Sequence, residues 1–179
     1  MDANSKQETF KLKESAMIKQ SVQDIINKQI NAEMYSAYLY LGMAGWCTEQ
    51  NLNGAAQWFK VQAKEEMGHA MKFYKFLEDT NSQVALKAID APPAKWASLL
   101  SVFEDAYKHE QKVTAMIYDI VNLAQKEGDH ASASMCKWFV DEQVEEEAQT
   151  LEIVNQIKML GDSKGSLFML DRQLGKREG

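Results

Sequence analysis

Four glutamates lie at positions where a helical core would normally carry an apolar residue, one on each of four long amphipathic segments. They are Glu33, Glu66, Glu110 and Glu146. Each has an apolar or aromatic residue seven positions before and seven after it, which places it on the core-facing stripe near mid-helix. A buried carboxylate is costly unless it is paired, protonated or bound to a cation. A pair of metal ions in the bundle centre is the simplest explanation for four.

A histidine completes the pattern. Glu66 begins a Glu-x-x-His motif that ends at His69. Residues three apart share a helix face, so both side chains can point at one position. A set of carboxylates with one imidazole suits iron, manganese or zinc. Bridging carboxylates can hold two such ions close together.

Each glutamate taken alone has a simpler interpretation, a solvated surface charge. That alternative is stronger for the neighbouring acidic residues Glu65, Glu142, Glu145 and Glu147, which fall at the edges of the stripes or outside them. A structural bundle without metal is the corresponding alternative for the whole chain, but it leaves four core carboxylates unexplained.

Other polar and aromatic residues near these glutamates are less specific. Tyr40 lies two turns after Glu33 on the same stripe, within hydrogen-bond reach of a ligand carboxylate, although core packing would also explain it. His109 immediately precedes Glu110, so it should point about 100° away towards the surface or an interface. His130 should face solvent or another subunit, and Trp138 fits packing better than a redox role.

Hydrophobic periodicity predicts four long helices over about 16–47, 54–80, 98–127 and 130–160, and a short fifth helix over 166–174. The core stripe predicted for the first helix comprises Val22, Ile26, Ile30, Ala37, Tyr40 and Leu41. Gly128 should end the third helix and Asp129 should cap the fourth.

Loop lengths predict the topology. Short breaks after the first and third helices make two antiparallel hairpins. The second connection, over 81–95, can extend roughly 50 Å, about the length of a 30-residue helix at ~45 Å. It can therefore run the height of the bundle and make the second and third helices parallel. The expected fold is an all-α four-helix bundle with one long crossover and a short fifth helix.

Composition restricts the function further. The net charge of −6 argues against nucleic-acid binding as the main task and suits the attraction of cations. No segment approaches the ~18 apolar residues of a membrane helix, and 1–14 lacks the apolar centre of a signal peptide. Cys47 and Cys136 form no Cys-x-x-Cys motif and should be buried apolar residues, so we expect a cytoplasmic protein with reduced thiols.

With these motifs the sequence resembles the haem-free ferritins of bacteria and archaea. The resemblance covers the chain from 16 to 174, between a flexible segment at 1–15 and a tail at 175–179. It depends on four stretches, which are NAEMYSAYLY from Asn31, KEEMGH from Lys64, YKHE from Tyr107 and WFVDEQVEEE from Trp138.

That resemblance implies a ferroxidase centre. One iron would be held by Glu33, Glu66 and His69, and the second by the bridging Glu66 with Glu110 and either Glu146 or Gln143. Tyr40 would lie beside the centre. A third iron site would use Glu65, Glu142, Glu145 and Glu146, of which the last three can lean to one side of their helix.

The resemblance also implies a hollow shell of twenty-four subunits, with the fifth helix at the fourfold axes. Iron(II) would be oxidised there by O₂ or hydrogen peroxide through a diferric intermediate and stored as ferric oxyhydroxide.

Related proteins with different tasks are the alternatives. A second Glu-x-x-His motif would favour a bacterioferritin, a di-iron oxidase or peroxidase, or rubrerythrin, but the corresponding stretch of the fourth helix, from Glu142 to Glu146, has no histidine. Rubrerythrin would also need a Cys-x-x-Cys iron domain, and a DNA-protecting mini-ferritin fits poorly with the acidic balance and the fifth helix. Met67 occupies the position of a haem-ligating methionine, but the carboxylate-rich fourth helix leads us to expect no haem.

Overall fold

The protein is entirely α-helical in the computed structural model, which describes residues 16–161 and 163–178. Five helices follow one another in these ranges, with no β-strand. They are α1 (Gln20–Glu49), α2 (Asn53–Asp79), α3 (Leu99–Glu127), α4 (His130–Leu160) and α5 (Lys164–Leu174). The predicted all-α architecture is confirmed, while the flexible segment predicted for 1–15 lies outside the described residues. No helix in the described ranges combines the length and apolar character of a membrane span.

Two helices begin away from their predicted positions. α1 starts four residues late because the chain before it is extended at Lys19 and the Met17 amide donates a hydrogen bond to the Thr80 carbonyl at 2.9 Å. α5 starts two residues early because the Ser163 side chain accepts a hydrogen bond from the Ser166 amide and caps the helix.

The break between α3 and α4 forms as predicted. Gly128 adopts a positive φ of 68°, the left-handed conformation that ends many helices. The Asp129 carboxylate then accepts a hydrogen bond from the Ser132 amide at 3.0 Å and caps α4. At the other end of α3, Ser98 and Ser101 form a reciprocal capping box that ends the crossover.

A row of side-chain hydrogen bonds holds the crossover against α1. Three polar residues of α1, spaced four apart, accept hydrogen bonds from alternate backbone amides of the crossover. The pairs are Gln23 with Gln83, Asn27 with Ala85 and Asn31 with Lys87, at 3.1, 2.7 and 3.2 Å. Both members of each pair advance in the same direction, so the crossover runs parallel to α1. It therefore returns the chain along the bundle and leaves α2 and α3 parallel, as predicted.

The apolar core is divided into two clusters by a polar layer. One cluster contains Trp58, Phe59 and Phe103, and the other contains Phe73, Ile117 and Phe139. On each of the four long helices, the residues of the two clusters are separated by a short gap in sequence. The four predicted core glutamates occupy these gaps.

One residue predicted for the stripe of α1 faces outward. Leu41 is 51% exposed, whereas its neighbour Tyr40 is fully buried. Consecutive helical residues differ in direction by about 100°, so both cannot point at the bundle axis. Cys47 and Cys136 are buried free thiols, as predicted.

α5 packs against the start of α2 in its own subunit. The first residues of α2 have no local side-chain cap. Instead the Asp171 carboxylate accepts hydrogen bonds from the amides of Gly54 and Ala55, at 3.0 and 2.8 Å. A Cβ atom at Gly54 would lie 1.6 Å from the Asp171 carbonyl oxygen, so this approach requires glycine. Leu170 and Leu174 add apolar contacts in the first cluster.

Candidate metal centre

The polar layer is a buried carboxylate centre. Glu33, Glu66, Glu110 and Glu146 each come from a different long helix, and each is at most 3% exposed. His69 follows Glu66 by one turn of α2 and is also buried, with its Nδ1 atom 3.5 Å from a Glu66 oxygen. The structure thus brings together all five residues that helical spacing predicted for the site.

Their ligand atoms form three overlapping groups. The groups are Glu33–Glu66–His69, Glu66–Glu110–Glu146 and His69–Glu142–Glu146, and within each group the ligand atoms lie within 4.8 Å of one another. Glu66 contributes to the first two groups, which is the arrangement that a carboxylate bridging two ions requires. The ligand atoms of these groups are carboxylate oxygens and an imidazole nitrogen only. This donor set suits iron, manganese or zinc.

The electrostatics of the centre call for a cation. Burial, followed by the Glu66 charge, raises the pKa of Glu33 well above its usual range. Burial likewise raises the pKa of Glu110 to about 7 and that of Glu146 to about 8. Oε2 of Glu33 is buried and lacks a hydrogen-bond partner among the described residues. A bound cation would coordinate this free oxygen and relieve the repulsion among the carboxylates.

Two buried glutamines that were not predicted as site residues orient the carboxylates. Gln29 Nε2 donates to Glu33 at 2.8 Å. Gln62 Nε2 donates to Glu66 at 3.2 Å and also to Glu146. Each glutamine precedes a core glutamate of its own helix by four residues, a spacing that puts both on one face. That spacing is the signal that could have identified them.

Gln143 and Tyr40 both contact Glu110. Gln143 Nε2 lies 3.3 Å from a Glu110 carboxylate oxygen and donates to it, so the side chain predicted as an alternative ligand acts here as a hydrogen-bond donor. The Tyr40 hydroxyl, fully buried, donates to the other Glu110 oxygen. Tyr40 therefore reaches a carboxylate of the centre across the bundle rather than Glu33 on its own helix.

His109 is half-buried between α1 and α3, and its predicted place at the surface or at an interface stays a prediction. Its Nε2 atom lies 2.8 Å from the Ser36 hydroxyl, and its ring packs against those of Tyr35 and Tyr40. The turn away from Glu110 points this histidine into the cleft between α1 and α3. Burial, with a smaller contribution from Lys112, lowers its pKa to about 4.

His130 is exposed, as predicted. Trp138 packs its ring against His69, with 5.5 Å between ring centroids, in line with the packing role expected for it.

The structure brings only two of the four predicted third-site residues, Glu142 and Glu146, into one ligand group. Glu142 lies 3.9 Å from His69 Nε2 and joins the third ligand group. Glu145 is exposed because it is turned about 100° from its buried neighbour Glu146. Glu65 forms an ion pair with Arg177. The third iron site therefore stays a prediction.

Similarity to known proteins agrees with this geometry. Residues 23–160 match the ferritin-like domain family. The bacterial non-heme ferritin of Staphylococcus aureus (strain MRSA252) is 34% identical over 161 residues, which cover 90% of this chain and 97% of that protein. A probable bacterial non-heme ferritin-like protein of Haemophilus influenzae is 36% identical over 159 residues, 89% of this chain and 96% of that protein.

Solved structures give the same result. An open-pore ferritin from the archaeon Archaeoglobus fulgidus superimposes with a TM-score of 0.90 at 42% identity, and the match covers 92% of this chain and all of that one. These matches confirm the resemblance and the bundle architecture predicted from the sequence.

Proposed function

The chain belongs to the ferritin-like domain family, and on that premise we propose that its carboxylate centre is a ferroxidase site serving iron storage. Iron(II) is the substrate, O₂ or hydrogen peroxide is the oxidant, and ferric oxyhydroxide is the stored product. The observation that carries the proposal is the pair of ligand groups joined by Glu66. A shared carboxylate places two ions close enough to deliver two electrons to one oxidant.

We assign one iron to Glu33, Glu66 and His69, and the other to Glu66, Glu110 and Glu146, with Gln143 and Tyr40 beside Glu110. The carboxylates favour iron(III) over iron(II) because they offset the added positive charge. A single imidazole leaves the product weakly held, as transfer to a mineral requires. This distinguishes storage from the fixed cofactor of a di-iron oxidase or a bacterioferritin.

Proton release accompanies iron binding in this scheme. The pKa of Glu110 is raised to about 7 and that of Glu146 to about 8, so both hold protons over part of the neutral range. An entering cation must displace those protons, and binding should weaken as the pH falls through this range.

The test is iron(II) oxidation followed by stopped-flow absorbance after anaerobic loading and mixing with O₂. Glu66→Ala should abolish the fast phase, because one carboxylate serves both ions. Glu78→Ala, which removes an exposed glutamate from the same helix, is the matched control and should oxidise iron at the normal rate. Fast oxidation that persists in the Glu66 variant would refute the site assignment.

Assembly is part of the same proposal. The outward side of α5 carries Phe168 and Met169, which are 63% and 64% exposed, next to Met159 near the end of α4. Exposed apolar side chains on a short terminal helix suit burial against other subunits. We propose a closed shell of twenty-four subunits in the cytoplasm that contains no haem. A third iron near Glu65, Glu142 and Glu145 belongs to this proposal as well.

A further inference from the structure

The chain returns to the carboxylate centre after its last helix. Arg177 lies three residues beyond the end of α5, and its side chain is only 16% exposed. The guanidinium carbon lies 4.4 Å from the centre of the Trp58 ring, a cation–π arrangement that holds the side chain against α2. Arg177 is thus a positioned residue and not part of a loose tail.

The two arms of the guanidinium contact two residues of α2. Nη1 donates to Gln62 Oε1 at 2.6 Å, and Nη2 donates to Glu65 Oε2 at 2.5 Å. Gln62 and Glu65 are three residues apart and share a helix face. The planar fork of an arginine can satisfy both acceptors at once, which a lysine cannot do in the same geometry.

The contact with Gln62 determines which way its amide points. Gln62 is fully buried. Arginine only donates hydrogen bonds, so the Gln62 carbonyl oxygen must face Arg177 and its NH₂ group must face the other way. That NH₂ group donates to Glu66 and Glu146. With the amide reversed, its oxygen would face two carboxylates and its NH₂ group would face a guanidinium.

We infer that Arg177 is a positioning residue for the metal centre, acting through Gln62 on the carboxylates of Glu66 and Glu146. This inference rests on the proposed function, since it assumes that the centre binds iron. Glu146 belongs to the second and third ligand groups but not to the one formed with Glu33. Arg177 therefore supports the iron held with Glu146 more than the iron held with Glu33 and His69. The end of the chain and the metal centre are in this way linked within one subunit.

The experiment measures the affinities of the intact protein for iron(II) by anaerobic calorimetric titration, without oxidation. Arg177→Ala should weaken the binding step that depends on Glu146 by about tenfold, the lower end of the usual loss when a hydrogen-bond partner of a metal ligand is removed. The other step should change little. Arg177→Lys keeps the charge near Trp58 and should give an intermediate loss. Arg172→Ala, which removes an exposed arginine from α5, is the matched control and should bind like the wild type.

A double-mutant cycle tests the route through Gln62. Gln62→Ala should weaken the same step, and adding Arg177→Ala to it should cause little further loss. Additive losses would overturn the inference, because Arg177 would then act independently of Gln62. An equal loss in both binding steps, or no loss in Arg177→Ala, would also overturn it. A wild-type protein that binds no iron(II) would instead refute the proposed function and this inference with it.

Discussion

The metal-free protein should become less stable as the pH rises from 5 to 8, the reverse of ordinary acid denaturation. Burial raises the pKa of Glu146 from 4.5 to about 8 and that of Glu110 from 4.5 to about 7. The folded state therefore binds more protons than the unfolded chain within this window. The stability that these two carboxyl groups contribute is fully present below pH 4.5 and is lost as the pH rises through their folded-state pKa values.

The size of the effect follows from the shifts. A pKa shift of one unit corresponds to about 1.4 kcal/mol, so the pKa shift of Glu146 alone amounts to ~5 kcal/mol. The two carboxyls interact, and their contributions cannot simply be added. We expect the free energy of unfolding to fall by ~3–5 kcal/mol per subunit across the window.

Urea unfolding of the metal-free protein, followed by circular dichroism at several pH values, measures this fall. Glu146→Gln keeps the shape and removes the charge, so it should make the fall smaller without abolishing it, because burial still raises the pKa of Glu110. Glu78→Gln, at an exposed position, should leave it unchanged. Zn(II), which is not oxidised, should flatten the curve by neutralising the carboxylates. Stability that is constant or rises from pH 5 to 8, or a full fall in the Glu146 variant, would refute the reasoning.

Three further predictions concern the rest of the molecule. Asp171→Ala removes the cap of α2 and should lower the free energy of unfolding by ~1–2 kcal/mol, measured by urea denaturation, with a smaller loss in Asp171→Asn; equal stability of all three proteins would contradict the capping role. Replacing Glu65 and Glu145 together by Ala should leave two irons bound but change the ratio of iron oxidised to O₂ consumed; unchanged ratios and kinetics would count against a third site. Light scattering should give a mass near twenty-four times 20.3 kDa, and a stable monomer or dimer at every salt concentration would rule out the shell.

The carboxylate centre could be predicted because helices convert sequence spacing directly into position. Glu33, Glu66, Glu110 and Glu146 were recognisable from apolar residues seven positions away on either side, and His69 from one turn of α2. The outward direction of Leu41 was missed because the apolar stripe was drawn too wide. Gln29 and Gln62 were not predicted because they are not metal ligands themselves but donate hydrogen bonds to the ligand carboxylates.

Contacts between distant parts of the chain could not be predicted from helical spacing. Arg177 reaches Gln62 across 115 positions of sequence, and Asp171 reaches Gly54 across 117. Neither pair belongs to a periodic pattern, so only the path of the folded chain reveals them. A truncation after Leu160 would remove the cap of α2 and the Arg177 contact as well as the surface proposed for shell assembly.

The hydrogen bonds between α1 and the crossover restrict how this chain can change in length. Four residues of helix rise about 6.0 Å and two residues of extended chain advance about 6.6 Å, so the two repeats stay aligned over three successive pairs. One residue inserted between Gln83 and Lys87 would turn the following amides away from Asn27 and Asn31. Two inserted residues would restore the direction but shift the pairing by a whole helical turn. An insertion beyond Ala88 would spare these hydrogen bonds.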